Sequence, residues 1–433
     1  MRHVSKSSWW RGAAGATMTA AALSLVLSAC AGNSGSGSPG SSSSGGGAAA
    51  SPSPVGPKVT ITPDTGARHA RPDRGITVTA DGGTIGDVTV KGGESQVEGS
   101  LNDAKTQWHS QWALSPGTRY TVTAVATDSD GHKTTQTSTF RTLTPTQTFS
   151  TQIFEGYHQT YGVGMPIMLT FSAPIKNKIA VEKAMQIKTS KPVVGAWYWD
   201  GDQKLNFRPR GYWPAHTKVS FVGHLDGVQA GPGLWGTHTL TQDFRIGRSL
   251  IVVASTAAHH LKLFQDGKLI HTWPISTGKP GDDTPNGTYV TIEKGNPVEM
   301  KGPGYDIQVP WSVRITWSGI YLHDAPWSVG SQGSTNVSHG CVNMAPADAE
   351  LYYKMELTGD PVTIMGSSRA GVWGNGWTDW FLPWPKYLQG SAIHQAVEAG
   401  PDGSAFVSPR SLPPYTGAAA PIGGPPSNSA NAS

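Results

Sequence analysis

Between Lys58 and Thr144 the sequence alternates polar and apolar residues in short runs, VTIT (59–62), ITVTA (76–80), DVTVKG (87–92) and RYTVTAVATD (119–128), separated by Gly and Asp turns. A side-chain period of two turns every second residue to one face, which suits a half-buried strand and denies a helix its apolar stripe. Several short strands at this spacing predict a β-sandwich of immunoglobulin type over 58–145. The pattern recurs in MPIMLTFSAPI (165–175), AWYWDGDQKLNFRP (196–209) and TKVSFVGHL (217–225), predicting a second sandwich over 146–248. Composition agrees: 54 Gly, 32 Pro and 16 Trp in 433 residues leave little room for helix formers. Neither sandwich shows a cluster of catalytic residue types, so both read as spacers and scaffolds, with ligand binding as the alternative.

At Ser249 the texture changes. The stretch LIVVASTAAHHLKLFQDGKLIHTWPISTG (250–278) reads as three strands with an Asp266-Gly267 hairpin turn, and Asn286-Gly287 marks another hairpin. This predicts a β-rich domain over 249–366. Its one good helical stretch is APADAELYYKMEL (345–357), with Pro346 in the first turn. A Trp-rich cap follows at 367–390, expected to pack on that domain, and a Pro/Gly/Ala/Ser stretch at 391–433 reads as a disordered tail.

The first 57 residues are of another kind. Arg2, Lys6 and Arg11 precede an apolar run from Ala13 to Ala29, the layout of a secretory signal peptide over 1–30. It ends in Leu27-Ser28-Ala29-Cys30, which resembles a bacterial lipobox whose cysteine would carry lipid; ordinary cleavage after Ala29 is the alternative. Residues 31–57, rich in Gly, Ser, Pro and Ala, read as a flexible tether. The chain is then expected outside the cytoplasm, anchored to the outer face of the membrane and acting on the cell wall. Formal net charge is +4, with no Lys/Arg run or aromatic-basic interleaving, which argues against nucleic acid as a partner and leaves a polyanionic surface open.

Cys30 and Cys341 are the two cysteines of the sequence. A lone thiol in an exported chain, without a disulfide partner, points to reactivity. As a nucleophile it needs a base and donors for an oxyanion. His323, at the end of an apolar run 18 residues upstream, and His339 are candidate bases, Gly340 admits close backbone approach, and Asn343 adds an amide. Taken singly, each could be a packed core or surface residue. His259, His260, His323, His339 and Cys341 do not stand at the spacings zinc sites favour, so no metal and no cofactor are expected. The Asn336-Val337-Ser338 sequon reads as chance.

The stretch HDAPWSVGSQGSTNVSHGCVN (323–343) is similar to the signature of the bacterial, and specifically actinobacterial, L,D-transpeptidases, with two immunoglobulin-like domains before a YkuD-type catalytic domain. The implied fold class is mostly β: two tandem immunoglobulin-like β-sandwiches, then a β-rich L,D-transpeptidase catalytic domain with one or two short helices. The resemblance implies that Cys341 attacks the third residue of a peptidoglycan tetrapeptide stem and expels D-Ala. It makes His323 the base, oriented by the backbone carbonyl of Asp324, where related enzymes tend to carry Ser. Gly340 and Cys341 N–H groups with the Tyr305 hydroxyl would form the oxyanion pocket, and Met300, Trp327, Ser338, His339 and Asn343 would line the donor site. EMKGPGYDI (299–307) corresponds to a substrate lid shorter than in relatives. Donor and acceptor stem peptides and carbapenem inhibitors are the implied partners. L,D-carboxypeptidase activity and a non-catalytic wall-binding lipoprotein are the alternatives.

Overall fold

A computed structural model of the chain describes residues 56–93, 96–302 and 305–415. The expected signal peptide, Cys30 and most of the tether lie outside the described residues. The fold is mostly β, as the sequence leads one to expect.

The first sandwich sets a four-stranded sheet (Lys58–Thr62, Thr77–Asp81, Gln107–Ser110, Gly99–Leu101) against a three-stranded one (Thr84–Lys91, Arg119–Thr127, Lys133–Arg141). The alternation in RYTVTAVAT decides its packing: Tyr120, Val122, Ala124 and Ala126 are buried against Ile61, Val78 and Trp108, while Arg119, Thr121 and Thr123 face outward.

In the second sandwich, Thr160–Tyr161, Leu240–Ile246, Lys218–Gly223 and Met185–Thr189 form one sheet. The other has six strands: Thr151–Ile153, Ile167–Phe171, Lys204–Pro209, Val193–Asp200, Ala396–Gly400 and Gly403–Val407. Its last two strands correct the expectation of disorder after residue 391. AVEAG and GSAFV form a hairpin whose first strand pairs antiparallel with Val193–Asp200, placing Val397 opposite Gly195. Ala396, Val397 and Ala399 are buried, which ordering of this hairpin requires and which the surrounding Pro/Gly/Ser background concealed. Only 416–433 of that stretch lie outside the described residues.

The Trp-rich cap lies across the junction of the second sandwich with the β-rich unit that begins at Ser249. Trp380 donates its indole N–H to the Gly164 carbonyl at 2.7 Å, and the Arg208 guanidinium lies 4.5 Å from the Trp380 ring centre and 4.2 Å from that of Tyr387. Phe381 meets Tyr289 of that unit edge-on at 4.9 Å.

In the unit that begins at Ser249 a five-stranded sheet (Lys268–Pro274, His260–Gln265, Leu250–Ser255, Pro361–Met365, Gly287–Val290) faces a four-stranded one (Glu293–Gly295, Ser312–Arg314, Tyr321–Asp324, Val342–Met344) across one apolar core. The helix Pro346–Met355 follows immediately, burying Ala349 and Tyr352. Arg248, at the entry to this unit, pairs at 2.7 Å with the buried Asp360.

Candidate active site

His323 and Cys341 meet because two strands run side by side. Tyr321–Asp324 and Val342–Met344 pair in parallel with His323 opposite Asn343, so Cys341, one residue before its strand, comes level with Tyr321. His323 is 4% exposed, and its Nδ1–H donates to the Asp324 carbonyl at 2.7 Å. That fixes the tautomer and leaves Nε2 as the acceptor. Burial lowers the His323 pKa to about 4, against a small opposing effect of the Asp324 carbonyl.

Cys341 is half-buried. Its thiol is directed to the Gly319 carbonyl at 3.7 Å. Burial pushes the thiol up to about 11, while the Tyr321 N–H pulls it the other way. The resting pair is therefore a neutral thiol and a neutral imidazole, with no hydrogen bond between them among the described residues.

The cysteine loop is held by Thr284, which the sequence did not single out, and by Ser338 and Asn336. Thr284, the first residue of TPNG, donates to the Gly340 carbonyl at 2.7 Å and accepts from the Gly278 N–H at 2.9 Å. Gly340 has φ +124°, a conformation that favours glycine. Ser338 donates to the Cys341 carbonyl at 2.7 Å and accepts from the Gly340 N–H at 3.1 Å. The Gly340 N–H, expected as an oxyanion donor, is thus engaged in the resting loop, whereas the Cys341 N–H has no partner among the described residues. Asn336 accepts from Thr277 N–H and hydroxyl at 2.9 and 2.8 Å and donates to the Thr256 carbonyl at 3.0 Å, so the sequon asparagine is an internal brace.

Two expected donor-site residues have their polar groups engaged within the protein. Asn343 is 2% exposed and donates to Ser328 Oγ at 3.1 Å, and Ser338 is 7% exposed with its hydroxyl occupied within the loop. Asn343 lies inside because its strand pairs with Tyr321–Asp324 on one side and is bridged to Ser276 on the other, and Ser338 is bridged to Gly278. The remaining candidates lie on the open side. Trp327 is 57% exposed with its ring 6.0 Å from that of His323. Tyr305 packs its ring 5.3 Å from His339, whose Nε2 lies 3.0 Å from Lys279 Nζ. Met300 is half-buried and pairs with Ile307 in the hairpin Val298–Gly302/Tyr305–Val309, which occupies the expected lid segment. The Asp324 carboxylate does not reach the imidazole; its Oδ1 is buried without a partner, and burial raises its pKa.

The free thiol of the described residues stands immediately before a strand that runs parallel to the one carrying the oriented imidazole. Among the described residues no cluster of His, Cys, Asp or Glu could hold a metal ion. Comparison with known proteins carries this to a family. Residues 249–364 match the L,D-transpeptidase catalytic domain, and residues 67–229 match a bacterial Ig domain. L,D-transpeptidase 2 of Mycobacterium tuberculosis is 33% identical over 351 residues, covering 78% of this chain and 85% of that protein. L,D-transpeptidase 5 of the same species is 32% identical over 355 residues, covering 78% of each. A solved structure of LdtMt1 in complex with imipenem superimposes with a TM-score of 0.44 at 35% identity, over 51% of this chain and all of that one. The chain belongs to the L,D-transpeptidase family.

Proposed function

We propose that the chain crosslinks peptidoglycan by acyl transfer through Cys341. His323 Nε2 takes the thiol proton as Sγ bonds to the carbonyl carbon of the third residue of a donor tetrapeptide stem. The oxyanion that forms is met by the Cys341 N–H and, with the lid hairpin closed, by the Tyr305 hydroxyl. Collapse to the thioester breaks the bond to D-Ala, whose amine leaves with the proton from His323. The side-chain amine of another stem's third residue then attacks the thioester, its proton passing to His323 and back to the thiol. The observation that supports this most is the tautomer: with Nδ1–H held by the Asp324 carbonyl, Nε2 is the free base on the side of the adjacent strand.

Trp327, Met300 and His339 suit the wall of the donor site. Water could replace the acceptor amine, giving carboxypeptidase activity. A wall-binding role without catalysis is disfavoured by the retained His323 and Cys341. The LdtMt1 relative was solved in complex with imipenem, and Cys341 is proposed to open a carbapenem ring by the same attack on an acyl carbon. Cys30 is proposed to carry the lipid that anchors the chain to the outer face of the membrane, and Cys30→Ala should then move the protein from the membrane to the soluble fraction.

Mass spectrometry of the purified protein with a disaccharide-tetrapeptide tests the reaction. Crosslinked dimer and an acyl adduct on Cys341, both absent in Cys341→Ala, are expected. Tripeptide alone would replace transfer by hydrolysis, and turnover by Cys341→Ala would remove the mechanism.

A further inference from the structure

The first sandwich carries a concentration of charge that acyl transfer does not use. Arg119 and Arg141 stand directly opposite each other across the antiparallel strands Arg119–Thr127 and Lys133–Arg141. Like charges at opposed positions weaken a sheet. The next two rungs on the same face are threonine pairs, Thr121 with Thr139 and Thr123 with Thr137, their hydroxyls 3.2 Å apart in each. Residues 65–70 run beside the same strand: Gly66 N–H bonds to the Thr139 carbonyl at 2.8 Å, Arg141 N–H to the Ala67 carbonyl at 2.8 Å, and Ala70 N–H to the Arg141 carbonyl at 3.1 Å. That fixed backbone brings Arg68 and His69 alongside Arg141.

The four basic residues, with Thr139 and Thr144, line a hollow of about 780 Å³, and no Asp or Glu is among its described lining residues. The guanidinium groups of Arg68, Arg119 and Arg141 have no ion-pair or hydrogen-bond partner among the described residues. Arg71, Arg248 and Arg314, by contrast, each hold a carboxylate. The guanidinium fork is matched to planar carboxylate and to phosphate oxygens. A concave site suits a projecting group more than a flat bilayer, and Leu101, the exposed large apolar side chain among the described residues of this sandwich, lies on its other sheet, away from the hollow.

We propose that this hollow binds the anionic group of a polysaccharide, a phosphodiester or a uronate carboxylate, while sugar hydroxyls of the same chain follow the threonine ladder away from the arginines. Binding here is independent of the acyl-transfer reading: it survives if Cys341 proves inert, and its loss leaves turnover of soluble stem fragments unchanged.

Titration calorimetry of the full chain against a glycerol-phosphate polymer, polygalacturonate, and phosphatidylglycerol vesicles tests the site and separates the sources. At least one polymer should bind, and the double variant Arg119→Gln/Arg141→Gln should raise its Kd at least about tenfold with a shallower salt dependence. Arg68→Gln, on the flanking segment, should weaken binding without touching the sheet. A control that removes the same charge elsewhere on the sandwich, Lys58→Gln/Arg74→Gln, should stay within about twofold. Because the opposed arginines repel, the double variant should melt no lower than the parent without polymer. An unchanged Kd in the double variant, an equal loss in the control, or binding to vesicles and to neither polymer would overturn the proposal.

Discussion

At the scale of single residues, the site rests on two groups whose charges are suppressed by burial. With His323 near 4 and Cys341 near 11, both are neutral across the range between. Below about pH 4 the imidazole already holds a proton and cannot accept the thiol's. The rate of carbapenem acylation should therefore be flat from roughly pH 6 to 9 and decline toward pH 4. A stopped-flow profile rising about tenfold per pH unit between roughly 6 and 8 would instead report a thiol titrating freely and would contradict the neutral pair. His323→Ala should slow acylation by roughly 10²–10⁴, the range typical of general-base removal. Asp324 separates backbone from side chain: its carbonyl orients the ring, and its carboxyl touches nothing on it. Asp324→Ser should keep the acylation rate within about threefold, since the carbonyl stays in place and only an unpartnered group is lost; a larger fall would assign the carboxyl a part in the site.

At the scale of elements, the C-terminal hairpin has the clearest consequence. Glu182 is fully buried and accepts from the Trp199 indole at 2.7 Å, the Ser391 hydroxyl at 2.7 Å and the Ala392 N–H at 2.6 Å. Ending the chain after Gly390 would remove two of those donors and uncover the edge of Val193–Asp200. Stranding a buried carboxylate costs about 3 kcal/mol or more, so the truncated protein should show a lower thermal midpoint than the full chain. An unchanged melt would mean the hairpin adds nothing to the sandwich. The same residues show what the sequence can and cannot reveal. Strands of the first sandwich are legible because alternation and turn residues are local signals. His323, Gly340 and Cys341 are legible because their spacing lies within one short stretch. Glu182, Thr284 and Ser328 are silent, because each is defined by partners distant along the chain: Thr284 and the Gly340 carbonyl are 56 residues apart. The hairpin at 396–407 hid behind composition, since two short strands in Gly- and Pro-rich surroundings bury too little apolar surface to leave a long pattern.

At the scale of the whole molecule, the junction between the second sandwich and the Trp-rich cap holds two buried carboxyl groups. Glu155 is 2% exposed, its Oε2 accepts from the Met168 N–H at 3.3 Å, and its Oε1 has no partner. Burial first, and then the nearby Asp379 charge, raise its pKa from 4.5 to about 8. Asp379 is also raised by burial, although Asn206 and Tyr387 donate to it at 3.0 and 3.1 Å. Between pH 4.5 and 8 the folded chain keeps a proton on Glu155 that the unfolded chain releases, so the folded state binds more protons and stability falls as pH rises. The contribution is fully present below the unfolded value and is lost by the time the pH passes the folded one. At about 1.4 kcal/mol for each pH unit between those two values, the loss is on the order of a few kcal/mol. Glu155→Gln, neutral at every pH and similar in shape, should be insensitive to that window while keeping the Met168 contact. Thermal melts of both proteins from roughly pH 5 to 8.5, followed by tryptophan fluorescence because Trp377 and Trp380 report on this junction, should show the parent's midpoint falling and the variant's changing much less. Parallel curves for the two proteins would show that Glu155 does not hold its proton in the folded state.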